Sequence, residues 1–228
     1  MFEELKEQYR QSLPDKISAI KILLQDIRAA KPDAEAQLRQ IAHTLHGSGA
    51  TFGYPEISTA AREVEYATAE DFLKLLANLT RVLVSIESTQ VGGSVKAATP
   101  AVAKKSLLPI LVAEDDDLMV SLIRQQLLSD GLRVEYVNNG AAAVGAVQRH
   151  KFSMLILDVQ MPIMDGFEAL SRIRVKNDKD QLPVIMLTGL RSQNDVARGY
   201  ELGANDYITK PFDPEALLAK VKAVLKIG

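Results

Sequence analysis

The stretch Leu155–Gly166, LILDVQMPIMDG, decides the fold of the C-terminal half of this 228-residue chain. It places Asp158 directly after Met154–Leu157, an apolar run of strand length that does not alternate with polar residues. Such a run is typical of a strand that is buried on both faces of a parallel sheet. In sheets of that kind, ligands bind beyond the carboxyl ends of the strands. Asp158 is therefore expected at the edge of the sheet where chemistry takes place.

The rest of this half follows the same alternation of short apolar runs and amphipathic segments. The predicted strands are Ile110–Ala113, Arg133–Val137, Met154–Leu157, Val184–Leu187 and Asp206–Thr209. The amphipathic segments between them predict helices and include Leu118–Leu128, Phe167–Val175 and Pro214–Leu225. Five strands alternating with five helices predict a doubly wound α/β domain with a five-stranded parallel sheet. An aspartate after the first strand, Asp116 or Asp117, is expected to cap the following helix.

Before residue 91 the apolar residues follow a helical period throughout, with a break at Pro32-Asp33 and a helix start at Pro55. This pattern predicts an all-α helical bundle over residues 1–90. Residues 91–106, VGGSVKAATPAVAKKS, have no regular apolar period and the composition of a flexible linker. A long surface loop inside one domain is disfavoured, because structureless loops of that length are uncommon. The α/β domain is then expected over residues 107–228.

The composition excludes several functional classes. The formal net charge is −2, with 27 basic and 29 acidic residues, so no nucleic acid or anionic membrane is expected as a partner. The chain has no cysteine, which excludes disulfides, thiolate catalysis and zinc–thiolate sites and fits a reducing compartment. No signal peptide is visible, and no run approaches the roughly 20 apolar residues of a membrane span. We therefore expect a cytoplasmic protein.

The carboxyl ends of four predicted strands bring chemically active side chains together. The first strand ends in Glu114-Asp115, the third in Asp158, the fourth in Thr188 and the fifth in Lys210. Clustered carboxylates repel each other unless a cation lies among them, and hard oxygen ligands open to water suit Mg²⁺. A carboxylate such as Asp158 can accept a phosphoryl group as an acyl phosphate. Lys210 would then pair with one phosphoryl oxygen, and Thr188 would donate a hydrogen bond to another.

These segments resemble the motifs of response-regulator receiver domains, in the same order and at matching spacing. The matching segments are ILVAEDD (110–116), LILDVQMPIMDG (155–166), VIMLTG (184–189) and YITKPF (207–212). The resemblance covers about residues 107–228 and implies a flavodoxin-like receiver fold of the CheY type. It implies that Asp158 is the phosphoacceptor, while Lys210 and Thr188 contact the phosphoryl group. It also implies that such domains hold the bond before Pro211 in the cis form.

The resemblance also implies a metal site and a conformational switch. Asp115 and Asp158 would bind Mg²⁺ directly, Glu114 would do so through its outer sphere, and the backbone carbonyl of Gln160 would be the third protein ligand. Thr188 and Tyr207 would form the switch pair, in which the hydroxyl moves toward the phosphoryl group and the ring turns inward. A homodimer through the last two helices and the fifth strand of the receiver is expected if the chain is the regulatory part of a diguanylate cyclase.

The helical half contains a second candidate site in Ala42–Ser58, AHTLHGSGATFGYPEIS. Positions 43, 46, 47 and 50 share one helix face by their spacing, and the opposite face with Leu45 is expected to point into the core. Glycine inside a helix costs about 1 kcal/mol relative to alanine. Small residues beside a histidine would let another protein approach closely. The alternative is that Gly47 simply ends the helix and that both histidines lie on the surface.

The same segment resembles the phosphohistidine motif of HPt (histidine phosphotransfer) domains, four-helix bundles that carry an exposed histidine. The likeness is close over residues 41–58 and loose over residues 1–90. It implies that His43 is the phosphorylated histidine and that His46 stands where lysine is common. His46 as the acceptor, or as a second one, stays open.

An HPt domain joined to a receiver predicts two-component signalling, with phosphoryl transfer between His43 and Asp158. No G-x-x-x-x-G-K-[ST] loop for ATP is present, so a separate histidine kinase or another phosphorelay protein is the expected partner. No turnover of an external substrate is expected.

An alternative is the regulatory part of a diguanylate cyclase. An Asp-dependent phosphohydrolase is disfavoured by Gln160, where such enzymes need a second acid, and a degenerate scaffold is disfavoured by the presence of Asp158 and Lys210.

Overall fold

The computed structural model of the chain describes residues 2–87, 108–189 and 193–227, of which 193–195 are described by their backbone alone. These residues belong to two compact units, one within residues 1–98 and the other within residues 99–228. The predicted linker, residues 91–106, lies outside the described residues. The domain limits at residues 90 and 107 therefore stay predictions.

The first unit is a bundle of four helices. They are α1 (Phe2–Arg28), α2 (Ala34–Gly49), α3 (Pro55–Glu65) and α4 (Phe72–Glu87). Each helix packs against two others, α1 and α3 both lying against α2 and α4, so their apolar stripes enclose one core. The core includes Tyr9, Leu38, Leu45, Phe52 and Leu79, all of which are fully buried. The predicted helical bundle is confirmed, with Pro55 at the start of α3.

Helices α2 and α3 approach each other closely at Gly49 and Ser58. A Cβ atom at Gly49 would lie only 2.8 Å from the backbone nitrogen of Ser58. The Ser58 hydroxyl accepts a hydrogen bond from the backbone N–H of Ala50 at 3.1 Å and donates one to the carbonyl of His46. In an undisturbed α-helix these two backbone groups would bond to each other. Ser58 is thus inserted into the hydrogen-bond ladder of α2, directly beside the histidines.

The second unit is a parallel sheet of five strands with helices between them. The strands are β1 (Ile110–Ala113), β2 (Val134–Val137), β3 (Met154–Asp158), β4 (Val184–Thr188) and β5 (Asp206–Thr209). The helices are α5 (Asp117–Ser129), α6 (Gly140–Arg149), α7 (Gly166–Arg174), α8 (Gln193–Glu201) and α9 (Pro214–Leu225). The predicted α/β domain is confirmed, and the bounds predicted for strands and helices differ from these by at most one residue. Asp116 caps α5 as predicted, since its side chain accepts the N–H groups of Leu118 and Met119.

The strand order β2-β1-β3-β4-β5, with all pairs parallel, determines where a site can lie. The chain moves outward in one direction from β1 to β2 and in the other from β3 to β5, so a crevice opens at the carboxyl ends of β1 and β3. Glu114, Asp115 and Asp158 stand at those two ends. Every residue of β1, β3 and β4 is buried. The sheet therefore gives the acidic residues a rigid support.

No helix among the described residues is long and apolar enough to cross a membrane.

We expect Ser58→Ala to destabilise the helical bundle by about 1–3 kcal/mol, because the carbonyl of His46 and the N–H of Ala50 lose their shared partner. Urea unfolding followed by circular dichroism measures the effect. Ser18→Ala is the matched control, since the exposed Ser18 hydroxyl bonds only the carbonyl of Pro14 in its own helix. Equal effects of the two substitutions would contradict a stabilising role for the inserted hydroxyl.

Candidate functional site

Three carboxyl groups meet at the crevice of the parallel sheet. Oxygen atoms of Glu114, Asp115 and Asp158 all lie within 4.8 Å of one another. Glu114 and Asp158 are buried, whereas Asp115 is partly exposed. The structure thus brings together the acidic residues that the sequence predicts at the ends of two different strands.

A single ammonium group joins two of these carboxylates. The Nζ atom of Lys210 lies 2.7 Å from Oε2 of Glu114 and donates a hydrogen bond of 3.0 Å to Oδ2 of Asp158. Lys210 directly follows β5 and is only 3% exposed. The Lys210–Pro211 peptide bond is cis. Through its contacts to Glu114 and Asp158, the Lys210 side chain links the end of β5 to the ends of β1 and β3.

The charges of this cluster shift the pKa values of its members in opposite ways. Burial would lower the pKa of Lys210, but the charges of Asp158 and Glu114 outweigh burial and raise it. Burial and the neighbouring charge of Asp158 raise the pKa of Glu114 well above its usual range, against the opposing effect of Lys210. One ammonium group thus does not fully balance the buried negative charge. The cluster has the electrostatic properties of a site that attracts a second cation.

The donor atoms fit a divalent cation that prefers oxygen. The three grouped ligands are all carboxylates, and Asp115 leaves one side of the cluster open to water. Mg²⁺ favours such oxygen ligands and keeps several of its waters. The residues present are thus compatible with the expected magnesium site.

The other predicted residues of the receiver-like half lie around this cluster. The backbone N–H of Gln160 faces Oδ1 of Asp158 at 3.5 Å. Thr188 is buried at the end of β4 and pairs in register with Thr209 of β5. Tyr207 is buried on β5 and belongs to the core cluster that includes Phe167.

Gly166 allows the loop after β3 to fold tightly against Asp158. A Cβ atom at position 166 would lie 2.1 Å from the backbone oxygen of Asp158, so no other residue fits there without movement. The amide of Gly166 donates a 2.8 Å hydrogen bond to the carbonyl of Val159. The sequence motif includes this glycine, but its role becomes visible only in the structure.

The two histidines of the helical bundle share one carboxylate that the sequence analysis does not identify. Nδ1 of His43 lies 2.9 Å from Oε1 of Glu65, and Nδ1 of His46 lies 2.7 Å from Oε2 of the same residue. A carboxylate only accepts, so each imidazole places its N–H on Nδ1. In the neutral form of such a ring, the other nitrogen, Nε2, carries the lone pair. We call this cluster of His43, His46 and Glu65 the bundle triad.

The expected exposed histidine face is not what the structure shows. His43 and His46 are 4% and 5% exposed, and Nε2 of His43 is buried. Helix α3 covers this face, and at Gly49 the close neighbour is α3 itself instead of another protein. On the opposite side, which is expected to face the core, Leu45 is fully buried. The periodicity of α2 correctly indicates one buried face and misses the second, because α3 also covers the side that carries the histidines.

Glu65 is held in place and stays charged although its position in α3 opposes a negative charge. It is the last residue of α3, where the helix dipole disfavours a negative charge. The guanidinium of Arg39 donates hydrogen bonds to the carbonyls of Val64 and Glu65 at 3.2 and 2.9 Å, which closes this helix end. Burial raises the pKa of Glu65, but the hydrogen bonds from His43 and His46 outweigh it and lower the pKa to about 2. Glu65 is therefore ionised at neutral pH.

One sequence signal could have revealed Glu65. It follows Ile57 and Ala61 at intervals of four, so it continues the buried stripe of α3 with a carboxylate. Buried carboxylates are almost always paired. The pattern alone does not say that its partners are the histidines of α2.

Comparisons with known proteins agree with this architecture. The Hpt domain family matches residues 4–89, and the response regulator receiver domain family matches residues 110–222. A crystal structure from Chloroflexus aurantiacus J-10-fl, assigned as a response regulator, is 31% identical with a TM-score of 0.50; the match covers 53% of this chain and 99% of that one. The chain belongs to the response-regulator receiver family and carries an Hpt domain ahead of its receiver.

Curated relatives resemble the receiver domain. They include YkoG of Bacillus subtilis (39% identical over 117 residues) and PcoR of Escherichia coli (35% over 117 residues), both described as transcriptional regulatory proteins. Each match covers 51% of this chain and about half of the relative, 50% of YkoG and 51% of PcoR. The chain thus spans about half the length of these relatives. The Hpt and receiver domains together are modules of two-component phosphorelay signalling.

We expect Glu65→Gln to destabilise the Hpt domain by about 2 kcal/mol at pH 7, and this difference from the wild type to shrink as the pH falls from 4.5 toward 2. The pKa of Glu65 is lower in the folded state, so its stabilising contribution is present above pH 4.5 and is lost on acidification. Urea unfolding across this pH range measures it. The control is Glu63→Gln, an exposed position of the same helix. A difference that does not change with pH would contradict the shared ionic contact.

Proposed function

We propose that Asp158 accepts a phosphoryl group, and that the two domains exchange this group between Asp158 and His43. The observation that carries the proposal is the ion pairing of Lys210 with both Asp158 and Glu114 at the carboxyl edge of the sheet. A buried lysine held between two carboxylates is a positive charge placed where phosphoryl oxygens would arrive. The Hpt domain supplies a histidine whose Nδ1 is fixed by Glu65, which is the matching donor or acceptor.

When the phosphohistidine is the donor, a carboxylate oxygen of Asp158 attacks phosphorus. The P–N bond to Nε2 breaks, and its electron pair stays on the imidazole. An acyl phosphate forms on Asp158, and Nε2 regains its lone pair. Lys210 exchanges its contact with Oδ2 of Asp158 for a phosphoryl oxygen, and the Thr188 hydroxyl donates a hydrogen bond to another.

Mg²⁺ would be held by the carboxylates of Asp115 and Asp158 and by the backbone carbonyl of Gln160, with Glu114 in the outer sphere. The raised pKa of Glu114 and the grouping of three carboxylates support this proposal. When bound, the ion neutralises negative charge on the transferring phosphoryl group.

In the Hpt domain, His43 would carry the phosphoryl group on Nε2, because Nδ1 is engaged by Glu65. The burial of this Nε2 atom implies that the face of α2 opens before transfer. Glu65 would stabilise the Nδ1–H of the phosphoimidazole, as the carboxylate of a catalytic triad stabilises its histidine. His46 has the same contact to Glu65, so it is the second candidate acceptor.

A conformational switch and partner proteins would connect the phosphoryl transfer to signalling. Thr188 and Tyr207 would form the switch pair, and a histidine kinase or another phosphorelay protein would exchange phosphoryl groups with the chain. The protein would act in the cytoplasm without nucleic acid or membrane partners, and the receiver could dimerise through α8, β5 and α9. The diguanylate cyclase alternative stays a prediction that none of these observations tests.

We expect the wild type to gain one phosphoryl group from acetyl phosphate with Mg²⁺, and Asp158→Asn to lose at least nine-tenths of this adduct, because an amide is a far weaker nucleophile. Intact mass spectrometry and a phosphate-affinity gel measure it. Asp117→Asn is the control, since Asp117 is exposed in the first turn of α5. Removal of Mg²⁺ with EDTA should also abolish the adduct. An adduct that persists in Asp158→Asn would refute the assignment.

We expect a second adduct, stable in alkali and labile in acid, to be absent from His43→Gln and present in His46→Gln, because the phosphoramidate bond would form at His43. His150→Gln serves as the control, since His150 is exposed at the end of α6. Loss of this adduct in His46→Gln alone would move the acceptor to His46. Its absence from the wild type would contradict transfer between the two domains of this chain.

A further inference from the structure

Helix α8 contains a glycine, Gly199, that its backbone conformation does not require. Gly199 has no positive φ angle, unlike Gly131 and Gly203. A helical glycine of this kind is less favourable than alanine. Its presence therefore needs a steric explanation.

The explanation lies in the ring of Tyr207. A Cβ atom at Gly199 would lie 1.2 Å from the hydroxyl oxygen of Tyr207 and 2.5 Å from its Cζ. Tyr207 is 9% exposed, and its hydroxyl oxygen is buried. The hydroxyl end of the ring thus occupies the space that any other residue at position 199 would fill with its side chain.

The neighbouring side chains leave the ring little room to avoid such an atom. The same Cβ would lie 3.3 Å from Cε1 of Phe167, and Phe167 is itself covered by the guanidinium of Arg198 at 4.6 Å from the ring centre. The ring of Tyr200 lies 5.0 Å from that of Tyr207, centre to centre. An atom only 1.2 Å from the hydroxyl oxygen of Tyr207 cannot be accommodated without displacing the ring or the helix.

The geometry points to Gly199 as a positioning residue for Tyr207: the missing side chain on α8 forms the seat that lets the tyrosine ring lie inward. With a side chain at position 199, the ring has to leave this seat or α8 has to move away. The steric overlap does not depend on the proposed function, but its consequence for signalling rests on the proposed switch pair. In those terms, a side chain at position 199 disfavours the inward position of the tyrosine ring, whatever the state of Asp158.

A double-mutant cycle on the full chain tests the seat without any phosphoryl donor. We expect Gly199→Ala to lower the melting temperature of the receiver by about 5 °C or more in the presence of Tyr207. In the Tyr207→Ala background the same substitution should raise the melting temperature slightly, because alanine favours the helix once the ring is gone. The same loss of stability in both backgrounds would overturn the proposal, since the cost would then not come from the ring.

A spectroscopic measurement separates positioning from a general loss of stability. In protein labelled with fluorotyrosine, the signal of Tyr207, assigned with Tyr207→Phe, should be protected from a soluble paramagnetic agent. In folded Gly199→Ala it should broaden. Gly145→Ala is the matched control, because a Cβ there would meet only the flexible end of Arg149, 3.3 Å away. A Tyr207 signal that stays protected in Gly199→Ala would refute the inference.

Both measurements are independent of phosphorylation. If the wild type forms no adduct on Asp158 but the cycle behaves as expected, the seat exists and the proposed function is wrong. If the adduct forms and the tyrosine stays buried in Gly199→Ala, the seat is wrong and the proposed function stands.

Discussion

The receiver domain depends on one electrostatic constraint, the ammonium group of Lys210 between the carboxylates of Glu114 and Asp158. Three charged side chains from three strand ends are almost completely buried, and unpaired burial of any one of them would be costly. The pairing therefore fixes β1, β3 and β5 relative to each other at the edge where the site lies. It also leaves an excess of negative charge that a cation can balance. The contact that holds the three strand ends together is thus also the one that sets the charge of the acidic cluster.

The bundle triad shows the opposite balance of charge. Here one carboxylate, Glu65, accepts from two imidazoles, so its negative charge is well compensated and its pKa is lowered to about 2. Such a site has no excess negative charge that would attract a metal ion. Its effect is to fix the tautomer of each ring and to direct Nε2 away from the carboxylate. The receiver site thus carries negative charge that a cation can balance, whereas the Hpt site fixes the orientation of two imidazole rings.

Most of the receiver can be predicted from its sequence, because the signals are local. A buried strand shows as a short apolar run, and the parallel order brings the residues after each run to one edge, so Glu114, Asp158 and Lys210 can be placed together from the sequence alone. The Hpt site is less predictable. Its helices are recognisable, but the burial of His43 and the contact with Glu65 depend on how α3 lies across α2. Helical periodicity gives the faces of one helix and not the choice of its neighbours.

The glycines of the helices also show what cannot be predicted from the sequence. In the sequence, the glycines of α2 suggest that a partner protein approaches, yet at Gly49 the backbone of Ser58 in the same domain is what comes close. Gly166 makes room for the carbonyl of Asp158 and Gly199 for the ring of Tyr207. In each case another part of the same unit comes close to a helical glycine. Glycine lowers the stability of the helix, and the close packing that it allows offsets this cost. A glycine in a predicted helix therefore indicates that something comes near. Only the fold identifies it, and in this protein the approaching groups lie beside the histidines, beside the acidic cluster and at the ring of Tyr207.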